Sequence, residues 1–363
     1  MSLLFEPITI GPLRLRNRTM RSATAERMAD PVTGAPQPRL GAMYRALAEG
    51  GIGLIVTGHA YVHRGGKAHP EMASIADDAV IDAWRAVVRP AQDMGARVIM
   101  QINHCGAGCD PTVTPEPISP LGVATNDLVT PRAMTEKEIA RVVEAYGHAA
   151  ARARDAGLDG VQIHAAHGYL VSQFLTPSTN RREDAWGGDA ERRRRFLTAV
   201  LDAVRRHAGD DYPLWVKLGV AGNAASGLTA DEGAGAAQIA FDHGAGCIEV
   251  SHALGTPEAL AGEGEANFLP LAHAVRHTVG EGHPLALVSR LRTREVMDAL
   301  LNEGVVQLVS LCRPLILEPD LPNKLRSGAS AAARCVRCGR CWPEEPGQGV
   351  GCHNRSLRDM DHV

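Results

Sequence analysis

The stretch Val161-Gln-Ile-His-Ala-Ala-His-Gly-Tyr-Leu-Val-Ser-Gln-Phe174 joins a short apolar segment to a polar turn. Val161–Ile163 predicts a strand buried on both faces, because short apolar runs of this kind are typical of parallel sheets. His164, His167 and Tyr169 follow this strand directly, beside a glycine. A buried strand that ends in polar residues and leads into a helix is the repeating unit of an α/β fold.

The same unit recurs from residue 18 to about residue 326, where short apolar runs alternate with amphipathic stretches. The predicted strands are Arg18–Ser22, Leu54–Thr57, Arg97–Gln101, Gly160–Ile163, Leu214–Leu218, Cys247–Val250, Leu285–Val288 and Gln307–Leu311. The predicted helices include Asp78–Met94, Thr135–Ala156, Ala190–His207, Thr229–His243, Phe268–Val279 and Thr293–Glu303. Eight strands, each followed by a helix, predict a closed (β/α)8 TIM barrel. An open doubly wound sheet is the alternative, but it would normally carry a Gly-rich turn after its first strand.

Two segments carry the signal of a helix start. Thr135-Glu-Lys-Glu138 and Thr229-Ala-Asp-Glu232 both place a threonine three residues before a glutamate. In such a capping box the hydroxyl and the carboxylate each accept a hydrogen bond from a backbone amide that has no partner within the helix. We therefore expect helices to begin directly after Thr135 and Thr229.

The bulk composition excludes several classes of protein. A chain of 363 residues with 45% hydrophobic residues can bury a large core, and a net charge of -3 gives no reason to expect nucleic-acid binding. The basic run Arg192–Arg195 predicts a solvated helix face. No apolar run is long enough for a membrane span, and the first residues lack the pattern of a signal peptide. These features predict a cytoplasmic protein.

Four of the eight cysteines lie close together near the C-terminus. Cys335, Cys338 and Cys341 form a CxxCxxC pattern, and Cys352 follows after ten residues. Four thiolates suit an iron–sulfur cluster or a tetrahedral zinc ion. The sequence thus divides into a barrel, residues 1–326, and a short cysteine-rich, metal or iron–sulfur tail, residues 327–363.

Polar residues follow most of the predicted strands, at the end of a barrel where active sites form. The residues that follow a strand are Thr24 and Ala25, His164 to Tyr169, Ser289 and Arg290, and Cys312 and Arg313. Gln101 and Leu311 are the last residues of their predicted strands, and Lys217 lies late in its strand. Two imidazoles can hold an oxyanion or a carbonyl oxygen, and a phenol can donate a proton. The loops after the last two strands are where such barrels often bind phosphate, and Arg313 would add a bidentate charge partner.

With these motifs the chain resembles the Old Yellow Enzyme family of FMN-dependent ene-reductases, in particular the flavin barrel of bacterial 2,4-dienoyl-CoA reductases. The resemblance covers about residues 3 to 326. Its marks are Leu4-Phe-Glu-Pro-Ile-Thr-Ile-Gly-Pro-Leu13, Asn17-Arg18, Gly50-Gly-Ile-Gly-Leu-Ile55, Gln101-Ile-Asn-His104, the His164 segment, Asn180-Arg-Arg-Glu-Asp-Ala-Trp-Gly-Gly188 and Arg313-Pro-Leu315. Together, in this order and at barrel positions, they are highly specific.

The resemblance implies an FMN at the mouth of the barrel. Gln101 would hydrogen-bond the isoalloxazine, and Lys217 would place positive charge near its N1–O2 edge, where the family more often has arginine. Backbone around Ser289–Arg290 and Leu311–Arg313 would hold the phosphate. The chain departs from the family in these loops, because Ser289, Arg290 and Cys312 replace the usual glycines.

A second departure lies near flavin O4. There the family usually has threonine or cysteine, whereas this chain has Ala25 preceded by Thr24. Loss of that hydrogen bond would shift the flavin potential, unless Thr24 supplies it.

The resemblance also implies the reaction. NADH or NADPH would reduce the flavin, which would reduce the C=C bond of an α,β-unsaturated carbonyl or enoyl compound. His164 and His167 would bind the carbonyl oxygen of the substrate, and Tyr169 would protonate the carbon opposite the hydride.

The related dienoyl-CoA reductases carry a 4Fe–4S cluster directly after the barrel, fed by a second flavin domain. The present chain has one residue fewer between Cys338 and Cys341 than that pattern, and it ends at Val363. We therefore expect a 4Fe–4S cluster, with zinc as the alternative, and an external electron-transfer partner.

Two other functions stay open at the level of sequence. Flavin amine dehydrogenases and N-demethylases share this barrel, although the chain is only 4% aromatic, which speaks against an aromatic cage for a cation. The cysteine tail could instead be a zinc-ribbon-like interaction module on an inert barrel. The sequence names neither the substrate nor the choice between NADH and NADPH. The oligomeric state is open too, since the family often forms dimers or larger assemblies.

Overall fold

The structure is a computed structural model, and it describes residues 2–358 apart from residues 128, 263 and 344. Its strands are β1 (Ile8–Ile10), β2 (Leu13–Leu15), β3 (Thr19–Arg21), β4 (Leu54–Val56), β5 (Ala60–Tyr61), β6 (Arg97–Asn103), β7 (Ile118–Ser119), β8 (Arg132–Ala133), β9 (Val161–Ala165), β10 (Leu214–Ala221), β11 (Cys247–His252), β12 (Leu285–Val288) and β13 (Leu308–Leu311). Within the described residues, eight parallel strands close a barrel in the order β3, β4, β6, β9, β10, β11, β12, β13. The ring closes where Val309 of β13 pairs with Thr19 of β3. The predicted closed barrel is confirmed.

Helices surround this barrel. They are α1 (Pro38–Glu49), α2 (Ile81–Asp93), α3 (Glu136–Asp155), α4 (Leu170–Leu175), α5 (Ala190–Ala208), α6 (Ala230–Asp242), α7 (Leu269–Val279), α8 (Arg294–Glu303), α9 (Arg313–Leu317), α10 (Leu321–Ser327) and α11 (Arg355–Arg358). Short 3-10 turns occupy Leu3–Phe5, Arg64–Gly66, Asp78–Val80, Gly106–Gly108 and Glu258–Leu260. No helix among the described residues is long and apolar enough to cross a membrane.

The helix starts follow the capping chemistry. Thr135 and Glu138 form both hydrogen bonds of the capping box, and α3 begins directly after Thr135. The Thr229 hydroxyl accepts from the backbone amide of Glu232 at the start of α6. The solvated face predicted for Arg192–Arg195 is wrong for Arg193, which is buried and whose guanidinium lies 2.6 Å from the Glu232 carboxylate, whereas Arg195 is exposed.

The amino-terminal end of the barrel is closed by apolar side chains. The hairpin β1–β2 lies across this end. Its residues Ile10, Leu13 and Leu15 share one buried cluster with strand residues such as Met20 and Trp215. Because this end is packed with apolar groups, polar side chains inside the barrel are left to the opposite, carboxyl end.

The cysteine-rich tail packs against the barrel. Ala332 pairs with Thr293 at the start of α8, and the Val350 amide donates to the Glu26 carbonyl oxygen at 2.7 Å. The Arg39 guanidinium donates to the Gly347 carbonyl oxygen. Residues 344 and 359–363 of the predicted tail lie outside the described residues. The loop after β3 and the tail are therefore held together.

Candidate active site

A cavity of about 460 Å³ opens at the carboxyl ends of the barrel strands. Its walls are Ser22, Ala23, Thr24, Ala25, His59, Gln101, His164, His167, Tyr169, Lys217, Ser251, His252, Thr256, Phe268, Val288, Ser289, Arg290, Cys312, Arg313 and Trp342. Each residue predicted for catalysis or cofactor binding lines it except Leu311. Leu311 is buried at the end of β13, where its carbonyl oxygen accepts from the Ser22 amide at 2.8 Å. Leu311 therefore packs behind the cavity wall and does not line the cavity.

Three of these side chains converge because the chain turns sharply after β9. His167 and Gly168 both have left-handed backbone, with φ of 59° and 71°. Leu254 lies against Gly168, so that a Cβ there would come within 2.8 Å of it. The turn brings the His164 ring within 5.1 Å of the His167 ring and within 4.9 Å of the Tyr169 ring, as centroid distances.

Hydrogen bonds orient both imidazoles. The Ala166 amide donates to His164 Nδ1 at 3.3 Å, so a neutral His164 carries its proton on Nε2. His167 Nε2 lies 2.8 Å from the Ser251 hydroxyl, at the end of β11. Sequence reasoning did not single out Ser251 as the partner of His167, since the two lie on different strands.

His164 is buried, His167 is exposed to the open cavity and Tyr169 is half-buried. Partial removal from bulk water within the cavity sets the charge of these groups. It lowers the pKa of His164 and His167 well below the usual value for histidine, and nearby positive charge, including Lys217, acts in the same direction. Burial also lowers the pKa of His59 to about 4. Burial raises the pKa of Tyr169. At neutral pH the imidazoles are therefore uncharged donors, and the phenol keeps its proton.

Below the cavity lies a buried polar network that the sequence analysis missed. Lys217 Nζ is 2.6 Å from the Ser22 hydroxyl and 3.3 Å from Glu249 Oε1. The hydroxyls of Ser22 and Ser310 donate to the same carboxylate oxygen, at 2.6 and 2.7 Å. Gln162 donates to the other oxygen at 3.0 Å. Glu249 is fully buried, so each bond replaces one that water would have made.

The charge of Glu249 is maintained by its neighbours. Burial alone would raise its pKa, but the positive charge of Lys217 and the hydrogen bonds from Ser22, Ser310 and Gln162 bring it below the usual value. The network continues to the cavity wall, because Gln101 Nε2 donates to Gln162 Oε1 at 2.8 Å. In the sequence, the sign that Glu249 has a special role was its charge, which stands inside the apolar run of β11.

The loops after β12 and β13 bring positive charge to one end of the cavity. Arg290 has left-handed backbone, with φ of 56°, although it is not glycine. The Ser289 hydroxyl accepts from the Phe268 amide at 2.6 Å. Cys312 Sγ lies 3.1 Å from the Thr24 hydroxyl, and Arg313 donates to the Arg337 carbonyl oxygen in the tail. Of the three residues that replace the usual glycines, Arg290 alone therefore has the left-handed backbone that favours glycine, while Cys312 has a φ of -118°.

The tail folds back on itself, but among the described residues no three of its four thiol sulfurs lie within 4.8 Å of one another. The Gly351 amide donates to the Cys341 carbonyl oxygen at 3.0 Å. Burial raises the pKa of Cys341 to about 11, and the neighbouring thiols of Cys335, Cys312 and Cys352 act in the same direction. A hydrogen bond from the backbone of Arg340 lowers the pKa of the exposed Cys338. Trp342, next to Cys341, reaches the cavity wall, which the sequence did not predict.

The chain is similar to known flavin oxidoreductases in sequence and in structure. The family model described as NADH:flavin oxidoreductase / NADH oxidase matches residues 3–331. A metal reductase from Desulforamulus reducens is 34% identical over 93% of this chain and 51% of its own length. An N,N-dimethylglycine/sarcosine dehydrogenase from Chromohalobacter salexigens is 30% identical over 99% of this chain and 54% of its own length. The structure of 2-naphthoyl-CoA reductase with 2-naphthoyl-CoA superposes with a TM-score of 0.85 at 27% identity, covering 91% of this chain and 53% of that one. The chain therefore spans about half the length of these proteins.

Proposed function

The chain belongs to the NADH:flavin oxidoreductase / NADH oxidase family, and from that premise we propose that it reduces the C=C bond of an α,β-unsaturated carbonyl or enoyl compound, with FMN as cofactor and NADH or NADPH as reductant. One observation carries the proposal. Two neutral imidazoles, His164 buried and His167 exposed to the cavity, and one half-buried, protonated phenol converge within about 5 Å on one wall of the cavity. Two donors for an oxygen atom and one acid are what polarisation and protonation of a conjugated carbonyl require.

The cavity residues fit FMN. Arg290 and Arg313 place two cations at one end, where a phosphate dianion needs them. At the other end Gln101 offers an amide, and Lys217 offers a cation whose charge is shared with Glu249. Thr24 and Ala25 would lie along the ring edge, and the backbone of Ser289 and Cys312 along the phosphate. FMN bound here would accept a hydride from the nicotinamide and pass it to the β-carbon of the substrate.

The protein side chains would polarise the carbonyl group of the substrate and supply the proton. His164 and His167 donate hydrogen bonds to the carbonyl oxygen and stabilise the negative charge that develops on it. Because neither imidazole is charged at neutral pH, each one polarises the oxygen without protonating it. Tyr169 holds the proton that is delivered to the α-carbon. Of the three side chains only His164 is buried by the protein itself, so water would be excluded from His167 and Tyr169 by the bound flavin and substrate, which would strengthen these interactions.

The amine dehydrogenase alternative fits the cavity less well. A site for a protonated amine needs a carboxylate or an aromatic cage to hold the cation. Three aromatic side chains, Tyr169, Phe268 and Trp342, do line this cavity. None of its lining residues in the described chain is acidic, however, while Lys217, Arg290 and Arg313 are cationic and would repel a protonated amine. The walls therefore favour a neutral or anionic carbonyl compound. Flavin that is reduced by an amine but not by NADH or NADPH would reverse this preference.

For the tail we propose that Cys335, Cys338, Cys341 and Cys352 bind a 4Fe–4S cluster. The four thiols belong to one folded-back segment, in which Cys335 and Cys341 are buried, Cys352 is half-buried and Cys338 is exposed. Four cysteine thiolates are the usual ligands of such a cluster. Trp342 joins this segment to the cavity wall, so a cluster here would lie beside the flavin site. An external electron donor would then be the partner of this surface. The alternative ligand of the four thiolates is zinc.

An absorbance spectrum of anaerobically purified protein tests the proposal. We expect flavin bands that bleach with NADH or NADPH and return on addition of a conjugated enone. A broad brown absorbance in addition would assign the cysteines to iron and sulfide. Protein that is colourless and takes up no FMN would overturn both the cofactor and the reaction. The division at residue 326, the cytoplasmic location and homo-oligomer formation stay predictions.

A further inference from the structure

A second group of ligand-type side chains lies outside the barrel, where α3 packs against α5. Glu144 and His148 stand four residues apart on α3, so they lie on the same face one turn apart. His207 belongs to the last turn of α5. These residues take no part in the cavity at the mouth of the barrel.

The position of His207 depends on a glycine between the two α3 residues. A Cβ at Gly147 would lie 2.5 Å from His207 Cδ2 and 2.8 Å from the Ala203 carbonyl oxygen. Only a residue without a side chain lets the two helices approach this closely. The His207 ring is therefore held against α3 by packing as well as by hydrogen bonding.

The donor atoms are already close together. Glu144 Oε2 lies 2.9 Å from His207 Nε2. The ring centroids of His148 and His207 are 4.3 Å apart, with the planes at 56°. One carboxylate oxygen and one nitrogen from each imidazole all lie within 4.8 Å of one another. Small rotations about side-chain bonds bring such a set to the ligand spacing around a single ion.

We propose that Glu144, His148 and His207 bind a divalent transition-metal ion of the Zn²⁺ type. Two imidazoles and a carboxylate are a donor set that such ions prefer. The Arg206 guanidinium occupies Glu144 Oε1, which orients the carboxylate and leaves Oε2 for the ion. The ion would join α3 to α5, the helices on either side of β9, which carries His164.

Three protein ligands leave a coordination position open to solvent. Glu144 and His148 also line a separate cavity of about 600 Å³. Its walls carry the cations Arg64, Arg141 and Arg152 together with the anions Asp77 and Glu144, and Arg152 is paired with Asp78. The further ligand of the ion would therefore be water from this cavity.

Equilibrium dialysis of the full-length protein against Zn²⁺ tests the site, with bound zinc measured per chain. We expect the unsubstituted protein to bind one equivalent more than His148→Ala or Glu144→Gln. Zinc bound by the cysteine tail is the same in all three proteins and cancels in the comparison. The melting midpoint should rise with Zn²⁺ in the unsubstituted protein and lose that part of the rise in both variants.

His243→Ala is the matched control. His243 Nδ1 lies 2.6 Å from an Asp202 carboxylate oxygen, a similar exposed pair that lacks a third ligand in the described chain. This variant should bind as much zinc as the unsubstituted protein. The side chains of Glu144 and His148 are exposed, so their substitution does not threaten folding. Equal zinc in all four proteins would overturn the proposal, while the flavin spectrum would report separately on the active site.

Discussion

The ammonium group of Lys217 lies 3.3 Å from the carboxylate of Glu249, and both side chains are buried beneath the cavity. Lys217, on β10, lines the cavity, and its charge would favour an electron-rich flavin. The negative charge of Glu249, on the side of Lys217 away from the cavity, partly cancels that positive charge. The pair therefore sets how much positive potential reaches the cofactor, and removal of either charge should change it.

Glu249→Gln tests this balance. Glutamine keeps the size of the side chain and removes its negative charge, so the charge of Lys217 acts unopposed on the anionic reduced flavin. We expect the two-electron potential of the bound flavin to rise by at least a tenfold change in the equilibrium constant, about 30 mV. A redox titration of the purified variant measures the shift.

Ser310→Ala is the control for that variant. It removes one hydrogen bond to Glu249, 2.7 Å long, and leaves every charge in place. Its potential should lie close to that of the unsubstituted protein. A lower potential in Glu249→Gln would show that the carboxylate is not acting through Lys217.

Tyr169→Phe separates the two half-reactions. The variant keeps the ring beside His164 and loses the proton. We expect reoxidation of the flavin by an enone to slow by about 10²-fold to 10⁴-fold, the usual contribution of a positioned acid. Reduction by NADH or NADPH should stay within about twofold, because that step needs no proton from the phenol. Stopped-flow spectra measure both rates, and unchanged enone turnover would remove Tyr169 from its role.

Acid should destabilise the fold before its carboxylates titrate. Burial lowers the pKa of His59 to about 4 and that of His104 to about 3, from a usual value near 6.5. Between the lowered pKa of the folded chain and the usual pKa near 6.5, these histidines bind protons in the unfolded chain but not in the folded chain. Their contribution to the free energy of unfolding is therefore complete above pH 6.5 and falls as the pH drops toward 4. Urea unfolding at pH 7, 6 and 5 should show a steadily lower free energy of unfolding.

A variant identifies the groups responsible. His59→Asn keeps a polar side chain beside Asn103, whose amide lies 3.0 Å from His59 Nδ1, and removes one titrating group. Its stability should depend less steeply on pH over the same range. Stability that stays constant from pH 7 to pH 5 in the unsubstituted protein would contradict the assignment of the histidines as neutral.

The sequence predicted the barrel because each strand is a short apolar run and each helix has its own periodicity and cap. It did not single out α1, Pro38–Glu49, whose N-cap residue Gln37 forms no side-chain cap. It also merged Asp78–Val80 with α2, although the structure has a 3-10 turn there. Local signals thus gave most elements, and the errors fall where those signals are weak.

Part of the active site could also be predicted from local sequence signals. Residues near the carboxyl ends of strands, such as His164 in β9 and Gln101 in β6, must meet at the barrel mouth, so their place could be predicted. The contact of Ser22 with Glu249 joins residues 227 positions apart and depends on the register of strands around the barrel. Trp342 reaches the cavity only because the tail folds back. No local pattern encodes either contact.

Cys341→Ser tests the metal in the tail. Loss of one of four thiolates should remove the brown absorbance and most of the iron, while the barrel keeps its FMN. Cys109→Ser is the control, since this buried thiol lies near the Gly65 carbonyl oxygen, away from the tail. Zinc instead of iron in the unsubstituted protein would favour the zinc alternative. Neither metal at more than trace content would contradict both.

Arg290 combines two properties that substitutions can separate, its charge and its left-handed backbone. Arg290→Ala and Arg290→Gly both remove the charge, so both should weaken FMN binding by about tenfold to a hundredfold, the usual value of a hydrogen bond to a charged group. Only glycine relieves the backbone, so the glycine variant should be more stable than the alanine variant by about 1 kcal/mol. Flavin fluorescence gives the dissociation constants, and urea unfolding of flavin-free protein gives the stabilities. If FMN binds both variants as tightly as the unsubstituted protein, the phosphate does not lie at this loop; if the two variants are equally stable, the left-handed backbone at this position costs nothing.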